Sequence, residues 1–222
     1  MLKIAIIPVM ARGFVKNLKI YPYICIAMQL LPDIERHPFE PFLPERAVVL
    51  FLGSFPPQPK RWSMEFYYPN WLNDFWRVCG LVFFGDRNHF VLTGEKRFDV
   101  ERIKAFCTEK GIALFDTATA VRRLRDNASD KFLEVVEPTD LPSLLRKIPV
   151  CQAVVTTGEK ATGVLVEKYG CDAPKVGSFS DLQIDGRPFL FFRMPSTSRA
   201  YPLSLEKKAA FYRDLFQAIS LL

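Results

Sequence analysis

Ala47–Pro57 reads AVVLFLGSFPP: an apolar, β-branched-rich run that stops at Gly53 and gives way to Ser54, Phe55 and two prolines. A short, unbroken apolar run bounded by turn residues predicts a strand buried on both faces, as in a parallel sheet. In open α/β sheets, ligands bind just beyond the carboxyl ends of the strands. The loop Gly53–Pro57 is therefore the first candidate site. Gly53 allows close backbone approach to a ligand, and Pro56 and Pro57 stiffen the loop while withholding two backbone donors. Taken alone, the stretch reads more simply as an ordinary strand end closed by a proline turn.

Outward from this strand, the rhythm repeats. Ile112–Phe115 (IALF) is a second buried run ending at Asp116–Thr117, Cys151–Thr157 (CQAVVTT) is a third, and Pro188–Arg193 (PFLFFR) is a fourth. Helices are expected between them. Asn73–Cys79 should stop at Gly80, Phe98–Lys110 at Gly111 and Glu159–Tyr169 at Gly170, with Leu141–Ile148 capped by Thr139 and a last helix from Ser204 to Leu222. Leu81–Leu92 reads as loop, and Ala118–Val136 as a segment of alternating charge. Alternating strands and helices predict an α/β fold with a mostly parallel sheet and helices on both faces. Four loops would then gather at one edge: 53–57, 116–130, 157–160 and 194–199.

Ahead of the first strand, residues 1–37 read as an extension whose structure the sequence leaves undetermined, with Met28 as an alternative start. Its apolar stretches are too interrupted for a membrane span and lack the order of a secretory signal. The proline-rich segment from Pro32 to Glu45 is expected to run extended over the surface. The domain proper is placed at residues 38–222.

The 222-residue chain carries a net charge of +6, a mild basic excess that suits an anionic partner or simple solubility. Five scattered cysteines, with no pair at metal-ligand spacing, predict reduced thiols and a cytoplasmic setting. With only His37 and His89, a histidine triad or metal cage has little support. GxGxxG, HExxH and GxSxG are absent, and GEKAT at Gly158–Thr162 lacks the phosphate-loop spacing.

Five motifs in this order, GSFPP, FYYPNWLNDFW, ALFDTA, TTGEKA and RMPSTSRAY, resemble the uracil-DNA glycosylase superfamily. The nearest branches are the mismatch-specific uracil/thymine and the hypoxanthine-DNA glycosylases. The resemblance spans roughly Pro38 to Leu222 and implies a three-layer α/β/α sandwich around a mainly parallel four-stranded sheet. It also implies a monomer that extrudes a damaged base from double- or single-stranded DNA and cleaves its N-glycosidic bond with water, without metal or cofactor and away from membranes. A flipped base needs an aromatic face and edge-reading polar groups, and the departing base needs its developing charge stabilised.

Carried over residue by residue, the resemblance implies a base pocket of Gly53, Ser54, Phe55 and Pro56, with Tyr68 stacking on the base and Thr157 at its edge. Ser196, Thr197, Ser198 and Arg199 correspond to the duplex-contacting loop, with Tyr201 as a wedge or packing residue. Two departures stand out. Phe55 replaces the asparagine that orients water in the mismatch-specific branch, although the hypoxanthine branch also carries an apolar residue there. Thr157 replaces an asparagine that reads the base in many relatives, offering one hydroxyl for an amide. Asp116 and Asp130 remain as carboxylates able to activate water or stabilise a cationic sugar, against the alternatives of a helix cap and a turn residue. A binding module of the same fold, with catalysis lost or redirected, and a small-molecule enzyme of another class remain alternatives.

Overall fold

The computed structural model describes residues 33–125 and 130–222. Readings that fall on residues 1–32 and 126–129, the alternative start at Met28 and the Asn127–Ser129 stretch among them, lie outside the described residues. Residues Ile34–Leu222 form one compact unit.

Its centre is a sheet whose strands lie in the spatial order Ile112–Asp116 (β3), Val49–Gly53 (β2), Ala153–Thr157 (β6), Arg187–Met194 (β8) and Ser178–Ile184 (β7). β2, β3 and β6 are buried along their whole length, and β8 completes four parallel strands. The expected four-stranded, mainly parallel sheet is corrected to a five-stranded mixed one. β7 adds an antiparallel edge paired with Arg187–Arg193 of β8. The hairpin signal is Asp185–Gly186: both have positive φ, 50° and 77°, the geometry of a two-residue type I′ turn.

A second, antiparallel sheet, absent from the expected fold, has the order β1-β4-β5, with β1 at Ile34–Arg36, β4 at Ala118–Arg123 and β5 at Leu133–Pro138. Its inner face buries Ala118, Val121 and Leu133 against Phe55. The charges that hide it in the sequence are cross-strand partners: Arg122 pairs with Glu134 (3.7 Å), its register neighbour, and Arg36 with Glu137 (3.0 Å).

Helix α1 (Phe75–Phe84) does not stop at Gly80 but at Gly85, in the left-handed conformation. Gly80 is a packing glycine; a Cβ there would come within 2.5 Å of the Asp86 carbonyl oxygen. The first residues of the expected loop 81–92 are thus helical. α2 (Val100–Lys110) and α4 (Glu159–Tyr169) end at Gly111 and Gly170 as expected. α3 (Leu141–Lys147) is capped by Asp140, which accepts from the Ser143 N–H; Thr139 instead donates its hydroxyl to the Asp116 carbonyl at 2.7 Å. Ser204 caps α5 (Leu205–Ala218). α1 and α5 pack together over Phe51 of β2, whose ring meets Phe75 (5.4 Å) and Phe216 (5.8 Å).

The proline-rich strap before β2 is pinned along its length. Phe42 exchanges both backbone hydrogen bonds with Leu114, covering the exposed edge of β3, and the His37 N–H donates to the Thr119 carbonyl.

Candidate active site

From β2 the chain moves to β3 on one side; β6 then lies on the other side of β2, with β8 beyond it. The strand order reverses at β2/β6, the switch point where such sheets open a crevice beyond their carboxyl ends. Register brings Gly53 level with Asp116 and Thr157 level with Met194. A cavity there is lined by Gly53–Pro57, Tyr68–Asn70, Leu72, Asn73, Asp116, Arg123, Asp130, Thr157 and Ser196–Ser198. Of the expected site residues, Arg199 and Tyr201 are not among the lining.

Gly53 owes its place to a neighbour inside the protein. A Cβ on it would overlap the Asp116 Oδ1 atom and touch Tyr68. The missing side chain is what admits the Asp116 carboxyl to the pocket floor. Asp116 is buried, and its Oδ2 lies 2.9 Å from His37 Nε2. His37 was discounted in the sequence for lack of other histidines. Its partner lies 79 residues away, and no local spacing links the two.

Phe55 turns its ring away from any hydrogen-bonding role. It packs on Ala118, Val121 and Leu133 and meets the His37 ring edge-on, with centroids 5.3 Å apart. The loop beyond it is fastened through its carbonyls. Arg123 Nη2 donates to Pro56 O at 3.1 Å while the guanidinium grips Glu35 with two 3.0 Å bonds, and Trp62 Nε1 donates to Pro57 O. The prolines lack donors, but their carbonyls hold the wall in place.

Tyr68 adopts a left-handed backbone with φ of 54°. For a bulky aromatic residue this is a strained conformation, of the kind that concentrates at functional sites. One ring face lies on Phe75, 3.9 Å between centroids and nearly parallel, and the residue lines the cavity. Its hydroxyl pairs with Thr157 Oγ1 at 3.1 Å. Burial raises the phenol pKa well above its ordinary value, so the group is a neutral hydroxyl at physiological pH.

Asp130, at the mouth, is exposed as a residue, but its carboxyl is crowded by protein on the pocket side. That desolvation raises its pKa; a hydrogen bond from Ser54 opposes the rise and the charge of Asp116 adds to it. The site therefore presents two carboxyl groups, one of them biased toward its protonated form.

Ser196 Oγ accepts from the Ser198 N–H (3.3 Å) and Ser198 Oγ from the Ala200 N–H (3.2 Å), turns that leave both hydroxyl protons free to donate elsewhere. The loop is bolted from below. Asp74, buried at the start of α1, accepts from Arg199 Nε (2.9 Å) through Oδ1 and from Lys208 Nζ (3.2 Å) through Oδ2; its own N–H donates to Thr197 O. Lys208, 1% exposed, also donates to Ser198 O. Arg199 thus spends its Nε on the scaffold.

No protein-family model matches the chain, and no curated protein matches it in sequence. Among solved structures, it is similar to the NMR solution structure of a protein from Methanosarcina acetivorans provisionally named a uracil DNA glycosylase. The TM-score is 0.57 and the identity 21%, covering 85% of this chain and 99% of that one. The likeness establishes that the two chains share a fold. No described helix is long and apolar enough to cross a membrane.

Proposed function

We propose that this chain is a DNA base-excision glycosylase that hydrolyses the N-glycosidic bond of uracil or another deaminated base. The observation that carries the reading is the pair of carboxyl groups, Asp116 and Asp130, facing one cavity beside the stacking face of Tyr68. Among the branches the motifs resemble, Phe55 favours the hypoxanthine-type branch, since a water cannot be oriented by its ring.

In this reading an extruded base slides onto Tyr68, which Phe75 backs and the strained backbone aims. Cleavage of the C1′–N bond leaves positive charge on the sugar and an electron pair on the base. Asp116 stabilises that charge and takes a proton from the attacking water as its oxygen bonds to C1′. Asp130, biased toward its protonated form, hydrogen-bonds the departing base. Ser196 and Ser198 donate to phosphates flanking the lesion. Leu72, 54% exposed at the rim, sits against the base stack left open by extrusion.

A panel of oligonucleotides carrying uracil, hypoxanthine or a mismatched pyrimidine, treated with the protein and then with alkali, tests the reading. Strand cleavage at one lesion supports it. No abasic product at enzyme excess, with salt-sensitive DNA binding intact, would replace it with the binding-module reading, which the loss of amides at both Phe55 and Thr157 motivates.

A further inference from the structure

His37 sits on the strap ahead of the first central strand, two residues beyond Glu35. Glu35 holds Arg123 and, through it, the Pro56 wall. His37 holds Asp116 from the other side of the same pocket. Its side chain is 4% exposed and packed among aromatic rings, Phe115 at 4.6 Å and Phe55 at 5.3 Å between centroids. Such packing leaves the imidazole a single orientation.

The far nitrogen has a partner whether or not it carries a proton. Nδ1 lies 3.1 Å from the Phe39 N and 2.8 Å from the Phe39 carbonyl oxygen. A neutral ring protonated on Nε2 accepts from the N–H; a ring protonated on both nitrogens donates to the carbonyl. A neutral ring protonated on Nδ1 instead would set the bare Nε2 lone pair against the carboxylate, so beside an ionised Asp116 Nε2 carries the proton and Oδ2 receives a donor. With Oδ2 tied down and Oδ1 resting over Gly53, the carboxyl can neither rotate nor withdraw.

We propose that His37 is a positioning residue for Asp116. It fixes the carboxyl with Oδ1 toward the pocket, and the strap that carries it belongs to the working site. The inference rests on the glycosylase reading for its kinetic consequence, but the contact itself does not.

The test compares the full-length wild type with Asp116→Asn, His37→Phe and His37→Gln. Phenylalanine keeps the ring packing without the donor, and glutamine restores a donor on a flexible stem. Single-turnover rates and KM are measured on the oligonucleotide that the wild type cleaves, with thermal melting to confirm folding. His37→Met, a flexible apolar filler, stands in if His37→Phe does not fold. The expected result is a loss of about 10²-fold in rate for His37→Phe with KM unchanged, the cost of a reacting group displaced by an ångström, and substantial recovery in His37→Gln. A folded His37→Phe with wild-type rate beside an inactive Asp116→Asn overturns the inference, as does a His37→Gln no better than His37→Phe.

A second readout needs no turnover. In protein labelled with 15N-histidine, the His37 Nε2–H should give a slowly exchanging resonance that is lost in Asp116→Ala. If the wild type cleaves nothing, the glycosylase reading falls, and this resonance alone decides whether His37 holds Asp116. Its persistence in Asp116→Ala sinks the contact whatever the chemistry.

Discussion

Tyr68 carries the stacking face of the site. Its ring is placed by a backbone conformation that a bulky residue adopts only at a cost of roughly 1–3 kcal/mol, held by the stack on Phe75. If the open face takes a base, Tyr68→Ala should lower kcat/KM by the worth of one stacking contact, about 1–3 kcal/mol or roughly 5- to 150-fold. Tyr68→Phe, which keeps the stack and loses only the Thr157 bond, should retain most activity. Steady-state kinetics on a single-lesion oligonucleotide separates the two. Asp130 gives a prediction independent of function. Its folded pKa is raised, so the folded state binds its proton more tightly than the unfolded chain does. That contribution favours folding below the ordinary aspartate range and is lost as pH rises through the raised value. Asp130→Asn should therefore melt near wild type at low pH and increasingly above it toward neutral pH. A melting difference that shrinks as pH rises would contradict the assignment. Asp116 was legible in the sequence as a strand-end acid, because its strand announces itself by an apolar run. His37 was not, because its role is set by a residue 79 positions away and by rings from three other segments.

At the scale of elements, the Ser196–Ser198 loop is positioned by charge buried beneath it. Asp74 answers Lys208 and Arg199 directly, and Arg77 stands 4.0 Å off. Burial, with the repulsion of Arg199 added, lowers the Arg77 pKa to about 10, against the pull of Asp74; its guanidinium lies 4.1 Å over the Trp71 ring. Removing the acid leaves a buried lysine uncompensated. Asp74→Ala should destabilise the fold by about 3–5 kcal/mol, seen as a lower urea midpoint. Lys208→Met, which removes the buried cation but leaves Asp74 paired with Arg199, should cost less. If Asp74→Ala unfolds at the wild-type midpoint, the network is not what holds the loop. The sequence offered Asp74 as part of a helix start, and in one sense it is: the helix begins beside it. Yet Asn73 Oδ1 accepts the Phe75 N–H, freeing the Asp74 side chain for partners 125 and 134 residues distant. Glycine stops were legible where the residue follows an amphipathic stripe, at Gly111 and Gly170. Gly80 misled because its smallness serves the close passage of the Asp86 backbone.

Across the whole molecule, the sequence carried the parallel centre of the sheet because strands buried on both faces must be apolar throughout. It hid the second sheet because each strand there has one wet face, and Arg122 and Arg123 find their acids on neighbouring strands while Arg36 reaches across β4 to Glu137 on β5. That sheet matters to the site: β4 brings Arg123 to the pocket wall, and the connection from β4 to β5 brings Asp130. The basic excess of the chain, +6, has its consequence at this scale too. Binding to a lesion-bearing duplex should weaken steadily with salt, log K falling linearly with log salt at a slope set by the few phosphates contacted. A salt-independent affinity would argue that no duplex is held.

The most direct measurement is the cleavage rate of the wild type and Asp116→Asn, side by side, on uracil- and hypoxanthine-containing oligonucleotides at enzyme excess. The wild type should form an abasic product from at least one lesion, and the variant should form it about 10²- to 10⁴-fold more slowly. An active wild type matched by an equally active Asp116→Asn would contradict the central role given to that carboxylate. An inert wild type would contradict the enzyme itself.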